Sequence, residues 1–292
     1  MLSETMPYEK KFATVKGKKI AYVEEGSGDP IVLLHGNPTS SFLWRNVIPE
    51  LVASGRVIAP DLIGQGDSEK LPASAGPERY TLEVVYSYIE GLLETIGATK
   101  NVTLVIHDWG SGIGFLWAMR HAAALKGVAY MEGIVKPVSW DDWPEGAVGI
   151  FKGFRSDKGE DMILNRNMFI EGVLPSSVIR DLSETEMNAY RAPYHEPDDR
   201  QPLLNWPRQI PIEGEPENVV ALVTEYGAFM AASQVPKLFI NAEPGSILVG
   251  KQREFCRSWP NQQEVTVKGT HFIQEDSPVE IGQAVANWLR AL

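Results

Sequence analysis

The stretch NVTLVI, Asn101 to Ile106, is an unbroken apolar run of strand length, and HDWGSGIG follows it as a charged turn entering a glycine-spaced helix. A strand with no polar face must be covered on both sides, the condition of a central strand in a parallel sheet. The unit recurs. IVLLHG (31–36), RVIAPD (56–61), GVAYME (127–132), KLFINAE (237–243) and EVTVKG (264–269) are further strand-like runs, and FATV and KKIAYVEEG precede them. Between them lie helical periods. TLEVVYSYIEGLLETIG places apolar residues at 82, 85, 86, 89, 92, 93 and 96, one face of a helix. Further helices are expected over SSFLWRNVIPELV, about 110–121, near 250–258, and from SPVE, where Ser277, Pro278 and Glu280 fit N-cap, first turn and capping-box acid. Strand and helix in alternation predict an α/β fold: an eight-stranded, mostly parallel sheet flanked by helices, with ligands bound beyond the carboxyl ends of the strands.

The alternation breaks after Glu132. From 134 to 212 the chain is proline-rich, with helical fragments and no convincing strand. A main domain of 1–133 and 213–292, interrupted by a helical cap of 134–212, is the simplest organisation.

Composition removes several classes of function. A net charge of -11 and a pI near 5.0 oppose a nucleic-acid partner, which would need a basic face. No run of roughly 18 apolar residues could span a membrane, and the opening MLSETMPYEKKFATV has no signal core, so a cytoplasmic protein is expected. The single cysteine, Cys256, permits neither an internal disulfide nor a thiolate metal cluster, and its setting QREFCRSWP suits a packed thiol on a short helix.

Four segments end strands and should meet at one rim of the sheet: HGNP (35–38), HDWGS (107–111), Glu132 and the His271 of KGTHF. Their order of nucleophile, acid and histidine is that of an α/β-hydrolase. Asp108 stands at the centre of the elbow, where a serine is more familiar. It could be a plain helix N-cap, but Gly110, Ser111 and Gly112 are the small residues a tight elbow requires. His271 follows a strand and precedes a helix, as a catalytic base would, whereas His35 and His107 read as structural. The acid that orients the base is either Glu132, after the sixth strand, or Glu243, after the seventh; spacing leaves both open.

HGNPTSSFLWRNVIP, DLIGQGDS, HDWGS, AYMEGIVKP, FIEGVLP, NWPRQIPI, KLFINAEPG and HFIQEDSP together resemble the haloalkane dehalogenases, in the branch whose acid follows the sixth strand. The resemblance runs through nearly the whole chain. It implies Asp108 as nucleophile, Glu132 as orienting acid, His271 as general base, and Asn37 with Trp109 as the pair that holds the departing halide. It implies a pocket lined by Ile134, Trp143, Phe151, Phe169, Val173, Trp206, Ile247 and Phe272, a halogenated aliphatic substrate, a halide product, no cofactor, no metal and a monomeric chain.

The chemistry suits the residues. A carboxylate is a poor catalyst of ester hydrolysis but can displace halide from a saturated carbon, leaving an ester that water then opens. Two rivals share the Asp elbow or its surroundings. Epoxide hydrolases would need two cap tyrosines, for which Tyr190 and Tyr194 are candidates. Coelenterazine-type luciferases resemble the WDDWP and KGTHFIQED segments.

Overall fold

The computed structural model describes residues 2–292. Eight strands, β1 (Lys11–Val15), β2 (Lys18–Gly26), β3 (Pro30–Leu34), β4 (Arg56–Pro60), β5 (Val102–Asp108), β6 (Leu125–Gly133), β7 (Lys237–Pro244) and β8 (Gln262–Gly269), form one sheet in the order β1-β2-β4-β3-β5-β6-β7-β8. β2 runs antiparallel to both β1 and β4, and the other pairs are parallel. Every residue of β3 and β5 is buried, as their unbroken apolar sequences require.

The helices are α1 (Ile48–Leu51), α2 (Leu82–Thr95), α3 (Trp109–Arg120), α4 (Glu145–Phe154), α5 (Leu174–Ser176), α6 (Glu184–Arg191), α7 (Gln201–Gln209), α8 (Glu217–Ala232), α9 (Gly250–Arg257), α10 (Ile273–Asp276) and α11 (Pro278–Leu289). Alternation along the strands sorts the core into two clusters, one on each face. Val32, Leu34, Leu104 and Ile106 pack with α2, α3 and α8, whose apolar faces include Ile89, Ile113 and Val223. Ile31, Leu33, Val105 and Met131 pack with α1 and α11, through Leu51, Ile281 and Val285.

Local structure departs from the sequence reading in three places. SSFLWRNVIPELV is a 3-10 turn (Ser41–Trp44) and then the short α1, with Pro49 in its first turn, and not one helix. Ser277 stands at the N-cap of α11, with Pro278 and Glu280 in the first turn, but its hydroxyl accepts no helix amide and instead donates to the carbonyl of Lys268 at 2.7 Å. α8 was not anticipated: apolar residues such as Val219, Val220, Leu222 and Val223 lie on several of its sides and blur the helical period.

Between β6 and α8 the chain makes a helical insertion of α4–α7 and two π-helical segments, Asp161–Asn165 and Phe169–Val173. Its two ends meet: Val138 bridges Ile212 in parallel, and Tyr226 of α8 donates to the carbonyl of Ile134 at 2.6 Å. A buried ionic cluster ties the insertion to the sheet domain. Arg45 contacts Glu275 at 2.7 Å and Glu186 of α6 at 2.6 Å, Arg180 reaches the same two carboxylates, and Tyr190 donates to Glu275.

Candidate active site

The sheet order places the ends of β3, β5, β6 and β8 along one rim, and the four sequence segments converge there. Asp108 closes β5 with φ 50° and ψ -130°, a left-handed backbone that a non-glycine residue adopts only under strain. No N-terminal amide of α3 is capped by its side chain, so the plain N-cap reading fails. The elbow closes because its neighbours are small: a Cβ on Gly110 would strike the carbonyls of Leu34 and His35, and one on Gly36 would strike Asp108 Oδ1 and the Trp109 nitrogen. Ser111 Oγ, not singled out from sequence, donates to the Asp108 carbonyl and accepts the Ile134 N–H at 2.8 Å, joining the ends of β5 and β6.

Asp108 Oδ1 accepts the Asn37 backbone N–H at 2.6 Å. Oδ2 lies 3.4 Å from His271 Nε2, and His271 Nδ1 lies 3.4 Å from Glu132 Oε2. Of the two candidate acids, Glu132 is fully buried, with Oε2 accepting the Ser246 and Ile247 amides at 3.0 and 2.7 Å and Oε1 the Leu248 amide at 3.3 Å. Glu243 is exposed, paired in register with Lys268 on the neighbouring strand.

Burial opposes charge on His271, but its hydrogen bonds to Asp108 and Glu132 outweigh that penalty and raise its pKa to about 9. Burial would raise the Asp108 carboxyl, and the His271 contact reverses this and holds it below the usual range. Two other histidines are neutral by burial. His107, its ring 4.8 Å from that of His271, is pushed down to about 3 and bonds the His271 carbonyl through Nε2 at 2.8 Å. His35, down to about 4, accepts the Leu62 amide at 3.0 Å behind the HGNP loop.

These groups open onto a cavity of about 570 Å³. Asn37, Asp108, Trp109 and His271 form its floor, and Ile134, Trp143, Phe151, Phe169, Val173, Ile247 and Phe272 line it. Pro144, Ala147, Ile150, Pro207 and Ile210 belong to the wall too, small or generic apolar positions that carried no signal in the sequence. Trp206 does not line it. That ring is fully buried behind the wall and stacks on Trp109 at 4.7 Å and 28°, because Pro207, the next residue, takes the cavity-facing position. The amide of Asn37 is buried with neither Nδ2 nor Oδ1 bonded to protein, an unusual expense unless something else binds there. Tyr190 and Tyr194 lie outside the lining; Tyr190 donates to Glu275 and Tyr194 to the Pro38 carbonyl at 3.2 Å. An epoxide oxygen would find no phenol from either. Among the described residues no group of three or more His, Cys, Asp or Glu could hold a metal ion, and no helix is long and apolar enough to cross a membrane.

Fold and site together define an α/β-hydrolase whose elbow carries a carboxylate, and residues 29–158 match the alpha/beta hydrolase fold family. The full chain narrows this. It is 53% identical over 285 residues to a haloalkane dehalogenase of Sphingobium indicum, covering 97% of this chain and 96% of that one. It is 48% identical over 290 residues to one of Mycolicibacterium smegmatis, covering 98% and 93%. The crystal structure of haloalkane dehalogenase DbeA from Bradyrhizobium elkani superposes with a TM-score of 0.91 at 38% identity, over 97% of this chain and 98% of that one. The chain belongs to the haloalkane dehalogenases.

Proposed function

We propose that the chain hydrolyses neutral halogenated alkanes to alcohol, halide and a proton through an ester on Asp108. The observation that carries this reading is an ionised carboxylate at the floor of an apolar cavity, beside an unbonded amide and an indole. With Oδ1 engaged by the backbone amide of Asn37, Oδ2, on the His271 side, is the oxygen that attacks. It forms a bond to the substrate carbon as the carbon–halogen bond breaks, and the halide leaves with the electron pair. Trp109 Nε1–H and the Asn37 amide N–H donate to it. Both line the cavity.

Esterification removes the negative charge of Asp108, and with it the strongest support for a protonated His271. The imidazolium then releases its proton to solvent, the proton that accompanies the halide as product, and becomes a base at the step that needs one. It deprotonates a water that attacks the ester carbonyl, while Glu132 stabilises the imidazolium. The oxyanion forms on Oδ1, already held by the Asn37 amide, and one such donor is worth about 2.7–4 kcal/mol. The intermediate expels the alkoxide, which takes the imidazolium proton; the regenerated Asp108 acid then passes its proton to His271, which restores the carboxylate and the imidazolium.

A cap of 134–212 on a main domain of 1–133 and 213–292 belongs to this reading, supported by the meeting of Val138 with Ile212. So do a monomeric state and a cytoplasmic setting, the latter supported by one buried, unpaired thiol.

His271→Phe cannot activate water. Intact-protein mass spectrometry after mixing with 1-bromobutane should show one added butyl group, absent when Asp108→Asn is added to the variant. No adduct, together with no bromide release by the parent enzyme, would sink the mechanism.

A further inference from the structure

Two buried residues with no place in the reaction above touch Trp109 and the turn that carries Asn37. Trp206, on α7 of the helical insertion, stacks on the Trp109 indole, and its own Nε1–H donates to Gln65 Oε1 at 2.9 Å. Gln65, in the loop after β4, donates through Nε2 to the carbonyls of Gly36 at 3.1 Å and Thr39 at 3.3 Å. Those carbonyls flank Asn37 in its turn, which is closed by the Thr39 amide on Gly36. Gln65 and Trp206 are fully buried, and neither lines the cavity.

We propose that Gln65 and Trp206 are positioning residues for the departing halide, one side-chain chain that holds the Trp109 indole and the Asn37 turn in register and makes the halide site depend on a seated cap. The inference rests on the assignment of Asn37 and Trp109 as halide donors. A donor-only indole is useful to a spherical anion only if its N–H points at it. On one side Trp109 lies against Gly112, where even a Cβ would stand 3.2 Å from the ring, and Trp206 closes off another. Trp206 is in turn fixed in rotation by its bond to Gln65. The Gln65 amide is then saturated: its oxygen takes Trp206 and its nitrogen the two carbonyls. Cap, β3 loop and β4 loop share one amide group.

The test is a double-mutant cycle read by the inhibition constant of sodium bromide, with kcat, KM and Tm measured in parallel. Trp206→Phe keeps a ring to stack but drops the N–H, and Gln65→Leu removes the amide. Each should weaken bromide binding about three- to tenfold, the span of one lost hydrogen bond, and lower kcat more than it raises KM. The double variant should be no worse than the poorer single variant, because both remove one link. Val223→Ala, a buried truncation on α8, should lower Tm and leave the bromide constant within twofold. Bromide constants within twofold of the parent for both single variants would overturn the proposal, and so would losses that multiply in the double variant, which would mark two independent packing defects. Trp109→Leu separates the premises: if it leaves bromide binding unchanged, the halide assignment itself fails, whereas its effect with no effect at 65 or 206 removes only the positioning role.

Discussion

Two strained residues stand at adjacent strand ends, Asp108 at φ 50° and Glu132 at φ 38°, and between them their carboxylates keep a proton on His271. The sign of the resulting pH dependence follows. His271 has a folded pKa raised from 6.5 to about 9, so its contribution to stability is complete below about 6.5 and is lost as pH rises through about 9. Lys237, lowered from 10.5 to about 8 by burial, works in the opposite sense at the alkaline end, so the informative quantity is a difference between variants. In Asp108→Asn the loss of stability between pH 6.5 and 9 should be smaller than in the parent, as judged by urea midpoints, and the His271 resonance should titrate below 9 by NMR. Equal slopes in the two proteins would mean that Asp108 does not hold the proton.

Among the elements, α6 and α10 are joined by charge instead of apolar packing. Arg45 is fully buried and depends on Glu275 and Glu186 for compensation. Glu275→Ala should therefore cost about 3–5 kcal/mol in chemical denaturation, the usual cost of an orphaned buried charge. Glu184→Ala should change stability by less than about 1 kcal/mol, since its pair with Arg191 is exposed. Equal effects would show that the buried cluster is hydrated or dispensable. None of this was legible in the sequence, where Arg45, Glu186 and Glu275 are ordinary polar residues far apart. What was legible is local. The eight strands follow from apolar runs, and the elbow from small residues around one carboxylate. The final helix and its N-cap position were legible, but not the hydrogen bond of the Ser277 hydroxyl, which goes to the carbonyl of Lys268 on β8 and not to the helix. The choice between Glu132 and Glu243 likewise turned on family resemblance and then on burial, which spacing does not encode. Trp206 was placed in the wall for the same reason: a sequence names the residues of a cap but not which side of a short, proline-flanked helix faces the substrate.

At the scale of the molecule, the two core clusters make the sheet domain a single cooperative body, and Cys256 sits in one of them. It is fully buried, and burial pushes its thiol up to about 12. An aromatic disulfide reagent should leave the native protein unlabelled and modify one thiol per chain on unfolding, with a rate that follows global opening across a urea series. Rapid labelling in native buffer would reveal a local opening at α9 that the packing does not suggest.

Several contacts that hold Glu132 and His271 are made by main-chain atoms of residues that also line the cavity. Ile247 offers its N–H to Glu132 and its side chain to the lining, Ser246 does likewise, and the Ser177 carbonyl receives the amides of His271 and Phe272. A peptide group is the same whichever side chain it bears. Mutation at 177, 246 and 247 can reshape the lining while Glu132 and His271 keep their main-chain anchors. On the proposed mechanism, substitutions that change the shape of the cavity leave the carboxylate and imidazole where the reaction needs them.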